Sequence, residues 1–368
     1  MNKRPYGTGW KRFQQRLYAC IDLIRVNVHQ LKYFFWEATL RCNLSCRHCG
    51  SDCRADGGVA DLPGSLAVEV LHDIARHYQA ERIMVNVTGG EPLLRPDLFD
   101  VLGEAHGLGF PWGMVTNGML VDARVIDACI RTGMRTVSVS LDGPAETHNW
   151  LRNNPLSHGR ALRALALFAE ARAFETVEAI TCVHRGNIDQ LPALYDDLRR
   201  LGVNAWRLFT IFPRGRALAN PELLPDRELL PRLLAFIADK RREDPGWPVT
   251  YSDEGYLGCR WEREVRDSYF YCAAGIEVGG LLADGSYGAC PSLAREWVQG
   301  NVWELPFSEA WETRYKNMRD RKWMRAGPCG SCAEWKFCRG SSLHLWDRPG
   351  GRPAICHFEL LKGVDIEY

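Results

Sequence analysis

Apolar positions along the chain change period in an orderly way. Between Trp10 and Lys32 they recur at helical spacing and put Phe13, Leu17, Ile21, Ile24 and Val28 on one face, which predicts an amphipathic helix within an N-terminal segment, residues 1–32. Its polar face is mildly basic. With neither strong charge nor a flanking anchor, its expected role is to cap the bottom of the next domain with that apolar face, not to lie on a membrane. From Tyr33 the period shortens. Tyr33–Leu40 is an apolar, β-prone run, and further strands are predicted at Arg82–Val87, Trp112–Val115, Thr136–Ser140, Thr176–Val183 and Ala205–Ile211. Helical patterns over Leu66–His77, Ala123–Arg131 and Gly159–Arg172 lie between them. This alternation predicts an α/β fold with a parallel sheet of six strand–helix units over residues 33–215.

In such a sheet, ligands gather at the carboxyl ends of the strands. The polar and glycine-rich loops fall there. A loop with three cysteines follows the first strand, Thr88-Gly89-Gly90-Glu91-Pro92 the second, Thr116-Asn117-Gly118 the third and Ser140-Leu141-Asp142-Gly143 the fourth. Residues 216–258 read as a helical connector. From Cys259 to the end, 259–368, cysteine, tryptophan and glycine rise and periodicity fades, as expected of an irregular, metal-organised domain.

Composition narrows the class. Lys plus Arg number 46 against 45 Asp plus Glu, a balance that gives no reason to expect nucleic acid or an anionic membrane as partner. The chain opens without a signal peptide and has no apolar run of spanning length. Its 14 cysteines therefore point to metal binding in the cytoplasm and not to disulfides.

Cys42, Cys46 and Cys49 lie in a C-x3-C-x2-C run with His48 just before the last. Three thiolates hold three corners of a [4Fe-4S] cube and leave the fourth iron open, whereas electron-transfer clusters close all four corners with cysteine. A zinc knuckle is the plain alternative, but its second ligand pair is absent nearby. The run, with its aromatic-type residue before the last cysteine, resembles the signature of radical S-adenosylmethionine (radical SAM) enzymes. That resemblance implies a partial (β/α)6 TIM-type barrel, a cluster on Cys42, Cys46 and Cys49, and S-adenosylmethionine on the open iron. It implies that Gly89, Gly90 and Glu91, flanked by Thr88 and Pro92, hold the methionine amino group. Ser140 and Asp142 would face the ribose and methionine moieties, and Arg152 would pair with the methionine carboxylate, where a guanidinium fork bonds at two points. His48 and Asn117 complete the implied cofactor site, although an Asx turn is the ordinary role of Asn117.

Downstream, Cys272 and Cys290 are separated by a segment holding Gly285, then come Cys329, Cys332 and Cys338, and finally Cys356. This order resembles the SPASM extension of radical SAM enzymes, which carries auxiliary [4Fe-4S] clusters. The family's remaining cysteine position is Ser342 here, and Cys259 is an additional upstream cysteine. By resemblance, Cys329, Cys332, Cys338 and Cys356 would hold one auxiliary cluster, while Cys259, Cys272 and Cys290 would hold a second, of which the fourth ligand and the existence stay open. Cys20, Cys53, Cys129 and Cys182 are expected to be inert, with Cys53 set apart because it lies four residues beyond Cys49.

The implied activity is reductive cleavage of S-adenosylmethionine to a 5′-deoxyadenosyl radical, which abstracts hydrogen from a C–H bond. A peptide or protein substrate is favoured, with an electron donor such as flavodoxin or ferredoxin. Two features temper this: the short segment before the barrel leaves no room for a leader-binding domain, and Pro291 stands where sulfatase-maturing relatives carry an acid. The alternatives are a small-molecule substrate (tetrapyrrole decarboxylation or sugar dehydrogenation) and a non-catalytic iron–sulfur carrier or zinc scaffold.

Overall fold

The computed structural model describes residues 8–252, 254–291, 293–346 and 351–363. Its centre is a sheet built from β1 (Tyr33–Thr39), β2 (Met84–Gly89), β3 (Trp112–Thr116), β4 (Met134–Ser140), β5 (Thr176–Val183) and β6 (Ala205–Thr210). These six pair in sequence order, all parallel. Between them run α2 (Gly64–His77), α3 (Leu98–Gly107), α4 (Ala123–Arg131), α5 (Ala145–Arg152), α6 (Ser157–Ala171) and α7 (Leu191–Leu201). β5 alternates half-buried and buried residues along its length, the period-2 pattern of a strand with two differently packed faces. Although β1 and β6 lie far apart in the sheet order, the backbone N–H of Arg216, beyond β6, donates to Cys49 O beyond β1 at 3.0 Å. The sheet curls until its ends meet at the top. This is the partial (β/α)6 barrel.

The sheet continues past both edges. β7 (Val249–Tyr251) pairs with β6, so the segment 216–258 is not purely helical: beside α8 (Leu229–Glu243) it supplies a strand. On the other edge β8 (Val278–Leu281) runs parallel to β1, and β9 (Tyr287–Gly288) closes antiparallel on β8. The cysteine-rich region thus contributes two strands to the barrel sheet. Phe307, from that region, packs edge-on against Phe34 of β1 at 5.0 Å between ring centroids, and both are fully buried. Burial of each such ring stabilises by about 1.5–3 kcal/mol.

The N-terminal helix differs from its expectation. α1 spans Thr8–Val28, four residues short of Lys32, because the N–H groups of Lys32 and Tyr33 already bond Glu277 O. Its apolar face does not cap the barrel. Phe13, Leu17, Ile21, Ile24 and Val28 are 42–61% exposed, while Gln15 and Asp22 on the opposite side are buried. Ion pairs decide the orientation. Arg12 grips Glu334 through two bonds of 2.6 and 2.7 Å, and Lys11 meets Glu264 at 2.6 Å. No described helix is long and apolar enough to cross a membrane.

Candidate active site

The loop after β1 leaves and returns at one point, because Cys42 N–H donates to Arg54 O at 2.8 Å and Arg41 bridges Arg54. Between them Cys42, Cys46 and Cys49 are free thiols, from half-buried to buried. Each sulfur has a side-chain donor of its own. Asn117 Nδ2 lies 3.9 Å from Cys42 Sγ, Arg152 Nη1 lies 3.9 Å from Cys46 Sγ, and the Cys53 thiol hydrogen-bonds Cys49. Thiolates that share their charge with iron are stabilised in this way, and hydrogen bonds to cluster sulfurs tune the potential. The three cysteines therefore fit a cluster.

Their acidities differ. The hydrogen bond from Cys53, then nearby backbone N–H groups and Arg216, bring Cys49 down to about 6. Burial pushes Cys42 up to about 11 and raises Cys46. Metal binding needs the thiolate, and the Cys53 contact favours it at Cys49. His48 is half-buried, its Nδ1 has no partner, and loss of solvent with the nearby Arg152 lowers it to about 3. It is a neutral ring under the loop.

A strap beyond β6 holds the loop from the far side. Arg216 Nε donates to Cys46 O at 2.7 Å, and its Nη1 donates to Cys53 O at 2.9 Å and to Asp52 at 2.8 Å. Asn220 Nδ2 reaches Arg47 O at 3.1 Å. Gly215 makes the approach possible: its φ is +55°, and a Cβ there would sit 2.4 Å from Cys49 O. Sequence reasoning missed Gly215 and Arg216. The signal available was a Pro213-Arg214-Gly215-Arg216 turn at the carboxyl end of a barrel strand, the same rule that singled out the other loops.

The turn after β2 packs on the exit of β1. Gly90 N–H donates to Thr39 O and Glu91 N–H to Arg41 O, at 2.8 and 2.9 Å. A Cβ on Gly89 would meet Thr39 O at 2.2 Å, and one on Gly90 would meet Arg41 O at 2.1 Å. The close approach that requires these glycines is thus to the backbone of β1, not only to a ligand. Thr88 lies in β2 beside Glu37, and buried Pro92 opens a short 3-10 turn.

Glu91 is fully buried. It accepts from Thr116 Oγ1 at 2.8 Å, Asn117 N at 2.8 Å and Leu93 N at 3.3 Å. Its carboxylate ties the second loop to the third. Asn117 forms the Asx turn, accepting from Met119 N at 2.9 Å, and its amide donates to Asn43 at 2.8 Å. Burial outweighs these bonds and pushes Glu91 up to about 7. A carboxyl whose folded value lies above its ordinary 4.5 binds its proton more tightly in the folded chain. Its contribution to stability is therefore complete below about pH 4.5 and lost as pH rises to about 7. Glu91→Gln should remove that slope, read as the difference between the two proteins' denaturant midpoints from pH 4.5 to 8. Parallel curves would refute it.

Beyond β4, Asp142 and Arg152 form a buried pair, Nε to Oδ2 at 2.6 Å. Asp142 Oδ1 also accepts from Cys182 N at 2.9 Å, and His148 lies 3.3 Å from Oδ2 while accepting from Asp142 N at 3.0 Å. Burial opposes ionisation, yet Arg152 and His148 hold Asp142 well below the usual carboxylate range. Arg152 thus faces Asp142 and the Cys46 sulfur. His148 belongs to this network. Ser140 closes β4, buried beside it.

In the C-terminal region Cys329, Cys332, Cys338 and Cys356 come together, each of Cys329 and Cys338 lying within the electrostatic reach of Cys332 and Cys356. Cys259, Cys272 and Cys290 have different surroundings. Cys259 lies beside Lys11 and Arg12, Cys272 lines a cavity with Cys338 under the second half of α1, and Cys290 lies near Phe35 and Glu37 of β1. Ser342 is buried. Among the described residues no three His, Cys, Asp or Glu side chains close around a single-ion position.

The loop of three cysteines at the top of the partial barrel lies within residues 36–198, which match the model of the radical SAM superfamily. The chain carries a radical SAM domain, which binds a [4Fe-4S] cluster and S-adenosylmethionine. Over 342 residues it is 26% identical to an AdoMet-dependent heme synthase from Methanosarcina barkeri, covering 86% of this chain and 92% of that protein. It is 29% identical over 329 residues to the mycofactocin maturase MftC of Mycobacterium tuberculosis, covering 84% and 77%. The fold is similar to that of Streptococcus suis SuiB, solved with S-adenosylmethionine, with a TM-score of 0.69, 15% identity and coverage of 88% of this chain and 76% of that one.

Proposed function

We propose that this radical SAM enzyme oxidises or cross-links a peptide or protein at a C–H bond. The observation that carries the chemistry is the cysteine loop with a side-chain hydrogen-bond donor aimed at each sulfur. When bound, the cluster and S-adenosylmethionine supply one-electron cleavage to a hydrogen-abstracting radical. The chain's own residues do the rest. Cys42, Cys46 and Cys49 hold the cluster; Arg152, Asn117 and Cys53 stabilise their sulfurs; Glu91 and Arg216 fix the loops against which the cofactor lies. Gly89, Gly90, Ser140 and Asp142 belong to the same cradle. Cys329, Cys332, Cys338 and Cys356 would hold an auxiliary [4Fe-4S] cluster, which would supply an electron acceptor, and an external carrier of the flavodoxin or ferredoxin type would be the reductant.

The peptide substrate is supported by the similarity to a maturase. A small-molecule substrate is the second reading, favoured by the similarity to a heme synthase across nearly the whole of both chains. The test is anaerobic. Reconstituted protein with dithionite and S-adenosylmethionine should form 5′-deoxyadenosine, and a Cys42→Ala, Cys46→Ala, Cys49→Ala variant should form none. Deuterium transfer from a candidate peptide into 5′-deoxyadenosine would support the peptide reading. Transfer from a tetrapyrrole alone would replace it.

A further inference from the structure

Alternation along the barrel strands gives them two unlike faces. Val137 and Val139 of β4, Val177 and Ala179 of β5, and Trp206 and Leu208 of β6 are buried in the core. On the other face Ser138, Glu178, Ile180, Arg207 and Phe209 are only half-buried, so the inside of this barrel is not packed solid as a closed one would be. Charge on that inner face is balanced. Arg207 donates to Glu178 at 2.6 Å and lies over the Phe209 ring at 5.3 Å from its centroid.

One cation at the mouth is not balanced. The turn that brings Gly215 onto Cys49 also carries Phe212 and Arg214, and a Cβ on Gly50 would lie 3.1 Å from the Phe212 ring. This turn therefore packs on the cysteine loop itself. Arg214 is half-buried. Among the described residues its side chain makes one hydrogen bond, from Nη2 to Trp346 O at 3.4 Å, and no ion pair. The other guanidinium groups of this strand and turn are committed, Arg207 to Glu178 and Arg216 to Asp52. Arg214 has the exposed Glu296 and the Cys290 thiol within electrostatic reach, and burial outweighs them, holding it below the ordinary arginine value. A charge withdrawn from water without a counter-charge is costly. Beside it, the His344 ring lies 4.9 Å from that of Phe212, and its Nε2 is buried with no hydrogen-bond partner among the described residues. Burial and then Arg214 lower His344 to about 4, so the ring is neutral.

A carboxylate answers both groups. Its two oxygens match the guanidinium fork, and a neutral imidazole protonated at Nε2 donates to the same anion. The cradle for the cofactor is built after β2, β3 and β4. Arg214 stands after β6, with its neighbours Trp346 and His344 drawn from the C-terminal region, so the anion it lacks is the substrate's. We infer that Arg214, with His344 beside it, receives a carboxylate of the substrate at the barrel mouth and thereby selects acidic substrates, an inference that rests on the reading of this chain as an enzyme acting on a substrate C–H bond. An acidic peptide and a small organic acid share that group, and the test separates them.

The full-length, reconstituted protein is treated with phenylglyoxal, which modifies arginine, and modification of Arg214 is followed by peptide mass mapping. Hexaglutamate, or a porphyrin bearing propionates, should slow it about tenfold when present at about ten times its dissociation constant. Hexaglutamine and the porphyrin methyl ester should not. Protection by the peptide alone assigns an acidic peptide, and protection by the porphyrin alone a small organic acid. In equilibrium dialysis of the protecting probe, Arg214→Gln should weaken binding about tenfold to a hundredfold, as expected for losing a charge-assisted bond. Arg214→Lys, which keeps the charge and loses the fork, should weaken it less, and His344→Leu should weaken it severalfold. Each variant should keep the parent's iron content and the change in its reduced-cluster signal on adding S-adenosylmethionine. Three results would overturn the proposal: neither carboxylate probe slows modification of Arg214; the neutral counterparts protect equally; or Arg214→Gln abolishes the S-adenosylmethionine-dependent signal, which would move the residue to the cofactor. Formation of 5′-deoxyadenosine by the parent is scored separately, and its absence would count against the C–H oxidation reading, not against the anion site.

Discussion

Arg152→Ala is expected to destabilise the folded chain by about 3–5 kcal/mol, the cost of leaving a buried carboxylate without its counter-charge. Asp142 is completely buried, and its shortest contact is the 2.6 Å bond to Arg152 Nε. Its other partners, Cys182 N and His148, do not carry a fixed positive charge. Urea unfolding of the metal-free protein measures the loss. A depressed carboxyl contributes stability that is complete above its ordinary value of 3.8 and is lost as pH falls through the folded value, so the gap between wild type and Arg152→Ala should be full at pH 7 and shrink on acidification. Adding Asp142→Asn to Arg152→Ala should recover part of the loss, because the uncompensated charge goes with it. A single-variant loss under about 1 kcal/mol would mean that the pair does not hold the site together. The same substitution removes the donor to Cys46, so cluster spectra should change even under conditions where the variant stays folded.

The second large effect is expected at Arg216. Its side chain makes three bonds to the cysteine loop, two to carbonyls and one to the Asp52 carboxylate. At about 1 kcal/mol for each bond, and more where both partners are charged, Arg216→Ala should cost on the order of 3 kcal/mol of loop order. That corresponds to roughly a hundredfold shift toward open loop conformations. Iron at the three-cysteine site should fall well below half, while the set at Cys329, Cys332, Cys338 and Cys356, to which the Arg216 side chain makes no hydrogen bond, keeps its iron. Arg216→Lys places one ammonium where a fork bound three groups and should fall between. Iron and sulfide per chain, with the paramagnetic signal of the reduced cluster before and after S-adenosylmethionine, give the readout. Full loading with an unchanged signal in Arg216→Ala would reduce the strap to packing.

How far the sequence could be read follows from what each signal depends on. The six barrel strands are runs of five to eight residues with strong apolar periodicity, and Thr176–Val183 falls where its pattern puts it. β8 and β9 gave no such signal: Val278-Gly279-Gly280-Leu281 is half glycine, and β9 has two residues. They exist because β1 supplies a neighbour, which no local pattern announces. α1 was legible as an amphipathic helix, but periodicity reports that two faces differ, not which of them meets the protein. Glu334 and Glu264, more than two hundred residues away, decide that. At the site, motif spacing brought Cys42, Glu91, Asn117 and Asp142 forward, since each ends a barrel strand. Partners are harder to read than positions. That Arg152 faces Asp142, and that Arg216 reaches back to the first loop, depends on how the sheet closes.

The strand that carries the cysteine loop has neighbours on both sides, β2 from the barrel and β8 from the cysteine-rich region. Two-domain enzymes of this size are often treated as exchangeable modules, cut at a linker and recombined. Here a cut near residue 258 would leave Tyr33–Trp36 with an unpaired edge and remove Phe307 from Phe34. The barrel borrows a wall from its extension, so chimeras that graft a different C-terminal region should succeed only when they bring their own equivalent of β8.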